Sequence, residues 1–450
     1  MQSKEKNYLF LIILHFFIGV CVFAIPFFSK IYFVLIIIGS LYFIVKTQNK
    51  NNEVLYVAAY IVGSEVLLRM TDSSPIYEFG KYGVFFSVLF GMYYSGISSK
   101  AIPYWIFLLL LVPGVIIGTQ TLNLTTLDIR KTIIFNISGP ICLGFASLYC
   151  FNRRVTISEL SNILLMIGLP VFSTAIFLFF STPDLKEALN GTNSNYATSG
   201  GFGPNQVSTI LGLGMFIFFS RVLLASKTKL FLVINLSIAI YIGFRTLITF
   251  SRGGMLTGVI MTIILMFFSF IYSTNQGKTK LRYLLFFSVI IFSSLWIYTE
   301  TKTDGLIGKR YANKDAIGRT KVSKFSGRED IAASEIKAFL ENPFFGIGVA
   351  KGTEYRLEDL GFVVASHDEL TRMLAEHGSF GVLALLILFF TPIFFLLDNK
   401  QNIFIFCFLI FWLLTINHAA MRIAASAFVY SLSLLKVNFN EEDEKPIIHR

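Results

Sequence analysis

Charged side chains are scarce in this chain: Asp, Glu, Lys and Arg make up 14% of its 450 residues, against about 25% in a typical soluble domain. That shortage excludes a water-soluble globular protein. Cysteine is scarcer still, and the four present, Cys21, Cys142, Cys150 and Cys407, fall inside apolar runs rather than loops. A secreted disulfide framework is therefore excluded, and packing is their expected role. The apolar-poor composition of a disordered chain is missing as well. So are a Walker loop, a zinc-ligand spacing, an EF-hand and a serine-nucleophile elbow. No Asp-x-Asp stands where a metal-dependent sugar transferase would pair carboxylates around a divalent ion, so neither a metal nor another cofactor is expected.

What is present is apolar: 54% hydrophobic residues, 16% aromatic, 49 phenylalanines. A bilayer is the natural solvent for such a chain. About 20 apolar residues cross a hydrocarbon core of about 30 Å, and fourteen runs qualify, the first from Tyr8 to Phe28 and the last two from Ile403 to Ile416 and Ala419 to Leu435. Several are short enough to be half-helices. The expected fold is an all-α polytopic integral membrane protein of 12–14 transmembrane helices with a large, partly helical periplasmic loop. Its divisions are a transmembrane bundle over 1–298, the loop over 299–379, further transmembrane helices over 380–436 and a cytoplasmic tail over 437–450.

The net charge of +11 is placed for a membrane rather than for nucleic acid. With the N-terminus in the cytoplasm, the connections on that side hold fourteen cations, among them Arg153, Arg154, Lys278 and Lys280, against eight in the short connections opposite. The positive-inside rule favours this orientation, which leaves both termini cytoplasmic and segment 299–379 outside the cytoplasmic membrane, beyond the reach of cytosolic ATP. The first part of that segment carries eight cations, including Lys309, Arg310 and Arg328, against Glu300, Asp304 and Asp315. The run suits an anionic ligand at the membrane surface, and equally a solvated face or lipid head groups.

Ser326-Gly327-Arg328-Glu329 reads as a capping box that starts a helix with Arg328 near its N-terminus, where a guanidinium beside free backbone N–H groups would cradle a phosphate or simply pair with a neighbouring acid. Ser366-His367-Asp368-Glu369 reads as a second box. It places His367 at the first helical position, where the positive helix end keeps the imidazole neutral and able to accept a proton; alone, such a histidine is as well explained as a surface hydrogen-bonding residue. Asp368 and Arg372 are spaced for an ion pair, and His377 falls on the apolar stripe as a packed residue. His15, His418 and His449 suggest no role. Phe250-Ser251-Arg252-Gly253-Gly254 interrupts two apolar runs, and an arginine there needs an anionic partner, while the two glycines let a backbone or ligand come close. Arg245 and Arg422 pose the same question, for which snorkelling or a salt bridge, for instance to Glu65, is the favoured reading. The Gly-, Ser- and Asn-rich stretch from Pro183 to Asn205 reads as an outer loop entering a span.

Four segments in order, GFGPNQVSTILGLG (201–214), FSRGGMLTGVI (250–260), SGREDIAASEIKAFLENPFFGIG (326–348) and SHDELTRMLAEHGSFG (366–381), resemble the bacterial O-antigen ligase and O-antigen polymerase superfamily. The last is the most specific: His367, Asp368, Gly378 and Gly381 match the spacing of the family's outer-loop signature, with Asp368 in place of the usual amide or hydroxyl. The resemblance spans roughly 201–397. It implies a glycosyltransferase of the inner membrane that takes a glycan from undecaprenyl diphosphate, on the periplasmic side, and joins it to lipid A-core or a similar acceptor. His367 would activate the acceptor hydroxyl, Arg252 and Arg328 would bind the diphosphate, and Asp368, Gly378, Gly381, Arg422 and Arg245 would support them, without metal and with inversion. The alternative within the superfamily is a repeat-unit polymerase acting on a growing glycan. A lipid-linked sugar transporter is disfavoured, because the ionisable residues gather at one face and no internal repeat is seen.

Overall fold

The computed structural model describes residues 3–123, 125–182, 188, 189, 191–321, 328–364, 366–400, 402–419 and 421–438. Ser326 and Gly327, on which the first capping box depends, and the tail beyond 438 lie outside them. Six helices open the chain: α1 (Ser3–Ala24), α2 (Phe28–Thr47), α3 (Glu53–Met70), α4 (Phe79–Ser95), α5 (Ile102–Thr121) and α6 (Thr126–Cys150). A short strand β1 (Arg154–Thr156) leads into α7 (Ile157–Ser181), then α8 (Pro204–Leu224), α9 (Lys229–Ile248), α10 (Arg252–Tyr272) and α11 (Asn275–Lys302). The extramembrane segment folds as α12 (Leu306–Tyr311), α13 (Arg328–Glu341) and α14 (Gly352–Leu360). The chain returns through α15 (Glu369–Asp398), α16 (Ile405–Ile416), α17 (Ala424–Leu432) and strand β2 (Lys436–Asn438). The protein is thus an all-α polytopic membrane protein; among the described residues β1 pairs with β2 in parallel and an isolated antiparallel bridge joins Lys314 and Thr320.

A helix stands at each of the fourteen apolar runs. By length and composition ten are able to cross a membrane: α1, α2, α5 to α11 and α15. The other four fall short for visible reasons. Helix α3 carries Glu53, Glu65 and Arg69, α4 has 17 residues, and α16 and α17 have 12 and 9. The pair α16 and α17 is a hairpin, since Asn399 before it and Leu435 after it are joined by a 2.7 Å hydrogen bond from Asn399 Nδ2 to Leu435 O. A 12-residue helix is about 18 Å long, short of a hydrocarbon core of about 30 Å. Buried backbone groups between α16 and α17 must be satisfied by protein. Buried carboxylates do this: Glu65 Oε2 accepts from Ala424 N at 2.7 Å and Glu369 Oε2 from Met421 N at 3.3 Å, while Arg69 donates to Arg422 O at 2.8 Å. Arg69 is itself held by Glu65 at 3.1 Å, so the expected Glu65–Arg422 pair is replaced by Glu65–Arg69. A carboxylate one helical turn away on the same helix is preorganised, whereas the Arg422 side chain leaves in another direction.

Helices α7 and α8 form the centre, with α1 and α3 packed on α7 and α9 and α10 on α8. The seam between α8 and α10 is built from glycine: a Cβ at Gly212 would lie 2.2 Å from Gly254 O, and one at Gly254 would lie 2.2 Å from Ser208 O. The close approach at Gly254 is therefore to a neighbouring backbone rather than to a ligand, as small residues permit between helices in lipid.

Candidate functional site

The second predicted capping box does not form; a single aspartate cap takes its place. Helix α15 begins at Glu369, capped by Asp368, whose Oδ1 accepts from Leu370 N at 2.8 Å. Ser366 Oγ instead accepts from Asp368 N at 3.3 Å and donates to Asp368 O at 2.9 Å. His367 thus precedes the helix rather than opening it. An aspartate with extended backbone (φ −116°, ψ 117°) is the better cap because its oxygen reaches the second N–H directly. His367 is half-buried, and its Nδ1 has no hydrogen-bond partner among the described residues. Burial, and then the charges of Arg422, Arg328 and Arg356, lower its pKa to about 4. Cations and desolvation, more than the helix dipole, keep this imidazole neutral.

Arg422 is brought to the site by the α16–α17 turn, its Nη2 donating to Ser366 O at 2.7 Å, one residue from His367. Its charge bears on the imidazole first among the neighbours. The sequence reading of Arg422 as a snorkelling residue missed this, because only the tertiary turn carries it there. Arg328 opens α13, and burial and the charge of Arg252 hold its pKa below the ordinary arginine value. Asp368 and Glu329 are its nearest opposing charges. The orientation of α13 is fixed from three sides. Glu335 Oε1 takes Arg356 Nη1 of α14 at 2.6 Å, Glu335 Oε2 takes Thr371 Oγ1 of α15 at 2.5 Å, and Ile347 N in the turn after α13 donates to Ala375 O at 2.9 Å.

Arg252 is the first residue of α10. The turn before it is held by Asn205 at the start of α8, whose Oδ1 accepts from Ser251 Oγ at 2.8 Å, and by Ser208, whose Oγ donates to Ser251 O at 2.9 Å. His418 packs on the same place: a Cβ at Gly253 would lie 2.6 Å from its ring, and its Nε2 meets Thr209 Oγ1 at 3.0 Å. Asn205 and His418 are positioning residues that the sequence did not single out.

The remaining predicted residues have structural surroundings. Arg245 is buried against α7, donating to Leu178 O at 2.5 Å and to Thr182 Oγ1. Gly378 breaks α15 with φ +58°, ψ −137°, and a Cβ there would stand 2.6 Å from Gly346 N. At Gly381 a Cβ would meet Met373 O at 2.1 Å. Both glycines thus let α15 bend against its own first half and the 344–346 turn. Arg372 pairs with Glu369 and with Asn136 rather than with Asp368, whose carboxylate is committed to the cap. His377 is buried, as the apolar stripe predicted.

The charges of Arg422 and Arg328 thus bear on a half-buried, neutral imidazole at His367, and that of Arg252 bears on Arg328. Among the described residues no group of three or more His, Cys, Asp or Glu is placed to hold a metal ion. Comparison with curated proteins gives no match. Residues 236–386 match the family model described as O-antigen ligase, a stretch that holds Arg252, Arg328 and His367 and is narrower than the 201–397 resemblance, leaving out the 201–214 segment and Arg422. The match covers about a third of the chain and supports a place in the O-antigen ligase and polymerase superfamily.

Proposed function

We propose that the protein is an O-antigen ligase-type glycosyltransferase of the inner membrane, which moves a glycan from undecaprenyl diphosphate to a hydroxyl of lipid A-core or a similar acceptor on the periplasmic face. The observation that carries this reading is the juxtaposition of a neutral His367, bare at Nδ1, with the charges of Arg328 and Arg422. The acceptor O–H gives its proton to His367 as its oxygen bonds to the anomeric carbon. The bond from that carbon to the diphosphate oxygen breaks, and undecaprenyl diphosphate leaves with the electron pair. Arg252 and Arg328 hold the diphosphate and stabilise the charge that grows on it. The diphosphate ester supplies the driving force, so ATP is not required. Asp368 serves as a helix cap and no carboxylate is assigned as nucleophile, so the displacement is direct and inverts the anomeric centre; a product of retained configuration would overturn this.

The anion also tunes the base. By themselves burial and the surrounding cations make His367 a weak base; a diphosphate opposes those charges and returns the imidazole toward its ordinary range.

The test is purified protein in lipid with a synthetic undecaprenyl diphosphate glycan and candidate acceptors. His367→Ala is expected to lower kcat by about 10²–10⁴ while donor still binds; transfer at the unaltered rate would remove His367 from the chemistry. Glycan from a deletion strain separates the two superfamily activities: unlinked long chains left on the carrier mark loss of a ligase, and single repeats on core mark loss of a polymerase.

A further inference from the structure

We propose that Arg310 is a third ligand for the diphosphate and at the same time the residue that positions Arg252, an inference that rests on the donor class assigned above. Arg310 lies on the short α12, outside every motif that the sequence displayed, and is 8% exposed. Its Nε donates to Phe250 O at 2.9 Å and its Nη2 to Ser194 Oγ at 3.3 Å. Phe250 is two residues before Arg252. It is a buried aromatic held at φ +57°, a left-handed conformation that a bulky side chain adopts only under constraint. The constraint comes from the extramembrane segment: Phe250 clusters with Leu189 and Ile307, and the Arg310 guanidinium grips its carbonyl. Helix α12 thereby clamps the bend from which α10 and Arg252 emerge.

The electrostatics point to an occupant. Arg356, buried beside it in the sequence order of the extramembrane helices, has the carboxylate of Glu335, whereas buried Arg245 is held by Leu178 O and Thr182 Oγ1. No described carboxylate pairs with Arg310; burial first, and then the charges of Arg252 and Arg328, push its pKa down to about 10. Burial, and then Arg310 and Arg252, hold that of Lys321 low. A multivalent anion lowers the repulsion among these cations, and the diphosphate of the donor is such an anion.

The experiment compares Arg310→Gln and Arg310→Lys with the unaltered protein and with His367→Ala in the lipid-reconstituted transfer assay. Inorganic pyrophosphate serves as competing probe and as stabilising ligand in thermal melts. Arg310→Gln is expected to raise both the donor KM and the inhibition constant of pyrophosphate about tenfold or more, with the acceptor KM unchanged. Arg310→Lys keeps the charge and is expected to recover most of the pyrophosphate affinity, yet to keep a reduced kcat because one ammonium cannot grip Phe250 O and the anion together. If Arg310→Gln does not fold, the Lys variant decides, by keeping the pyrophosphate-induced stabilisation with a lowered kcat. Unaltered pyrophosphate affinity and donor KM in Arg310→Gln, or an unaltered kcat in Arg310→Lys, would overturn the proposal. Given either result, if the unaltered protein transfers glycan from undecaprenyl diphosphate in the same series, the donor reading stands while that of Arg310 falls; no transfer by the unaltered protein from this donor would mean that the donor reading itself has failed.

Discussion

A histidine becomes a base or a bystander according to what surrounds its ring. At position 367 burial and three guanidiniums act in the same direction, and by themselves they keep the imidazole neutral down to about pH 4. Arg422 supplies the largest charge effect among them, so replacing it with Gln removes a cation and lifts the imidazole toward 6.5. The acid limb of the kcat/KM profile, which reports the free enzyme, is then expected to move to higher pH. A limb that stays in place in Arg422→Gln would show that the charge of Arg422 does not govern the base. Asp368 illustrates the converse. The carboxylate that replaces the family's amide or hydroxyl does the same local work, because Asp, Asn and Ser all accept from the N–H groups of a helix start.

At the scale of elements, the site depends on two interruptions of helical geometry. One is the bend at Phe250 between α9 and α10; the other is the break at Gly378 in α15. The glycine conformation there is closed to residues with a Cβ, which would in any case collide with Gly346 N and Phe344 C. Gly378→Ala is therefore expected to cost about 1–3 kcal/mol from backbone strain alone, and to lower the melting temperature in detergent. Because the break pins the 344–346 turn, and with it α13 and Arg328, activity is expected to fall further than the loss of folded protein accounts for. An Ala variant with unaltered stability would mean that the break is not needed. The α16–α17 hairpin makes a related point: a buried turn between two short helices is tolerated because Glu65, Glu369 and Arg69 satisfy its backbone, and that turn delivers Arg422.

For the whole molecule, the orientation that places 299–379 outside follows from the distribution of cations, and it is open to a direct measurement. Single cysteines at the exposed positions Ile317 and Arg154 lie on segments of opposite sidedness in this reading. In spheroplasts of a strain expressing a cysteine-free background, Ile317→Cys is expected to react with a membrane-impermeant maleimide and Arg154→Cys only after lysis. The reverse pattern would invert the topology and place the site on the cytoplasmic side. The natural cysteines add little background chemistry, since Cys142, Cys150 and Cys407 are buried.

Composition and run length determined by themselves that this chain is a helical membrane protein, and a helix was found at every apolar run, because burying apolar surface in lipid while satisfying backbone groups leaves few solutions. Local spacing also marked His367, Arg252 and Arg328, since a charge at the edge of an apolar run is costly wherever it falls. The ends of helices were less legible: which of Ser366 and Asp368 caps α15 is decided by backbone angles that both sequences of events would allow, and run length alone made full spans of the 12- and 9-residue helices. Asn205 and His418 carried no signal in the sequence, and Arg310 and Arg422 were marked only as charges, one in a cationic run and one at a span end. They lie far apart in sequence, and long-range packing of α8, α10, α12 and the α16–α17 turn alone brings their charges and hydrogen bonds to bear on one place.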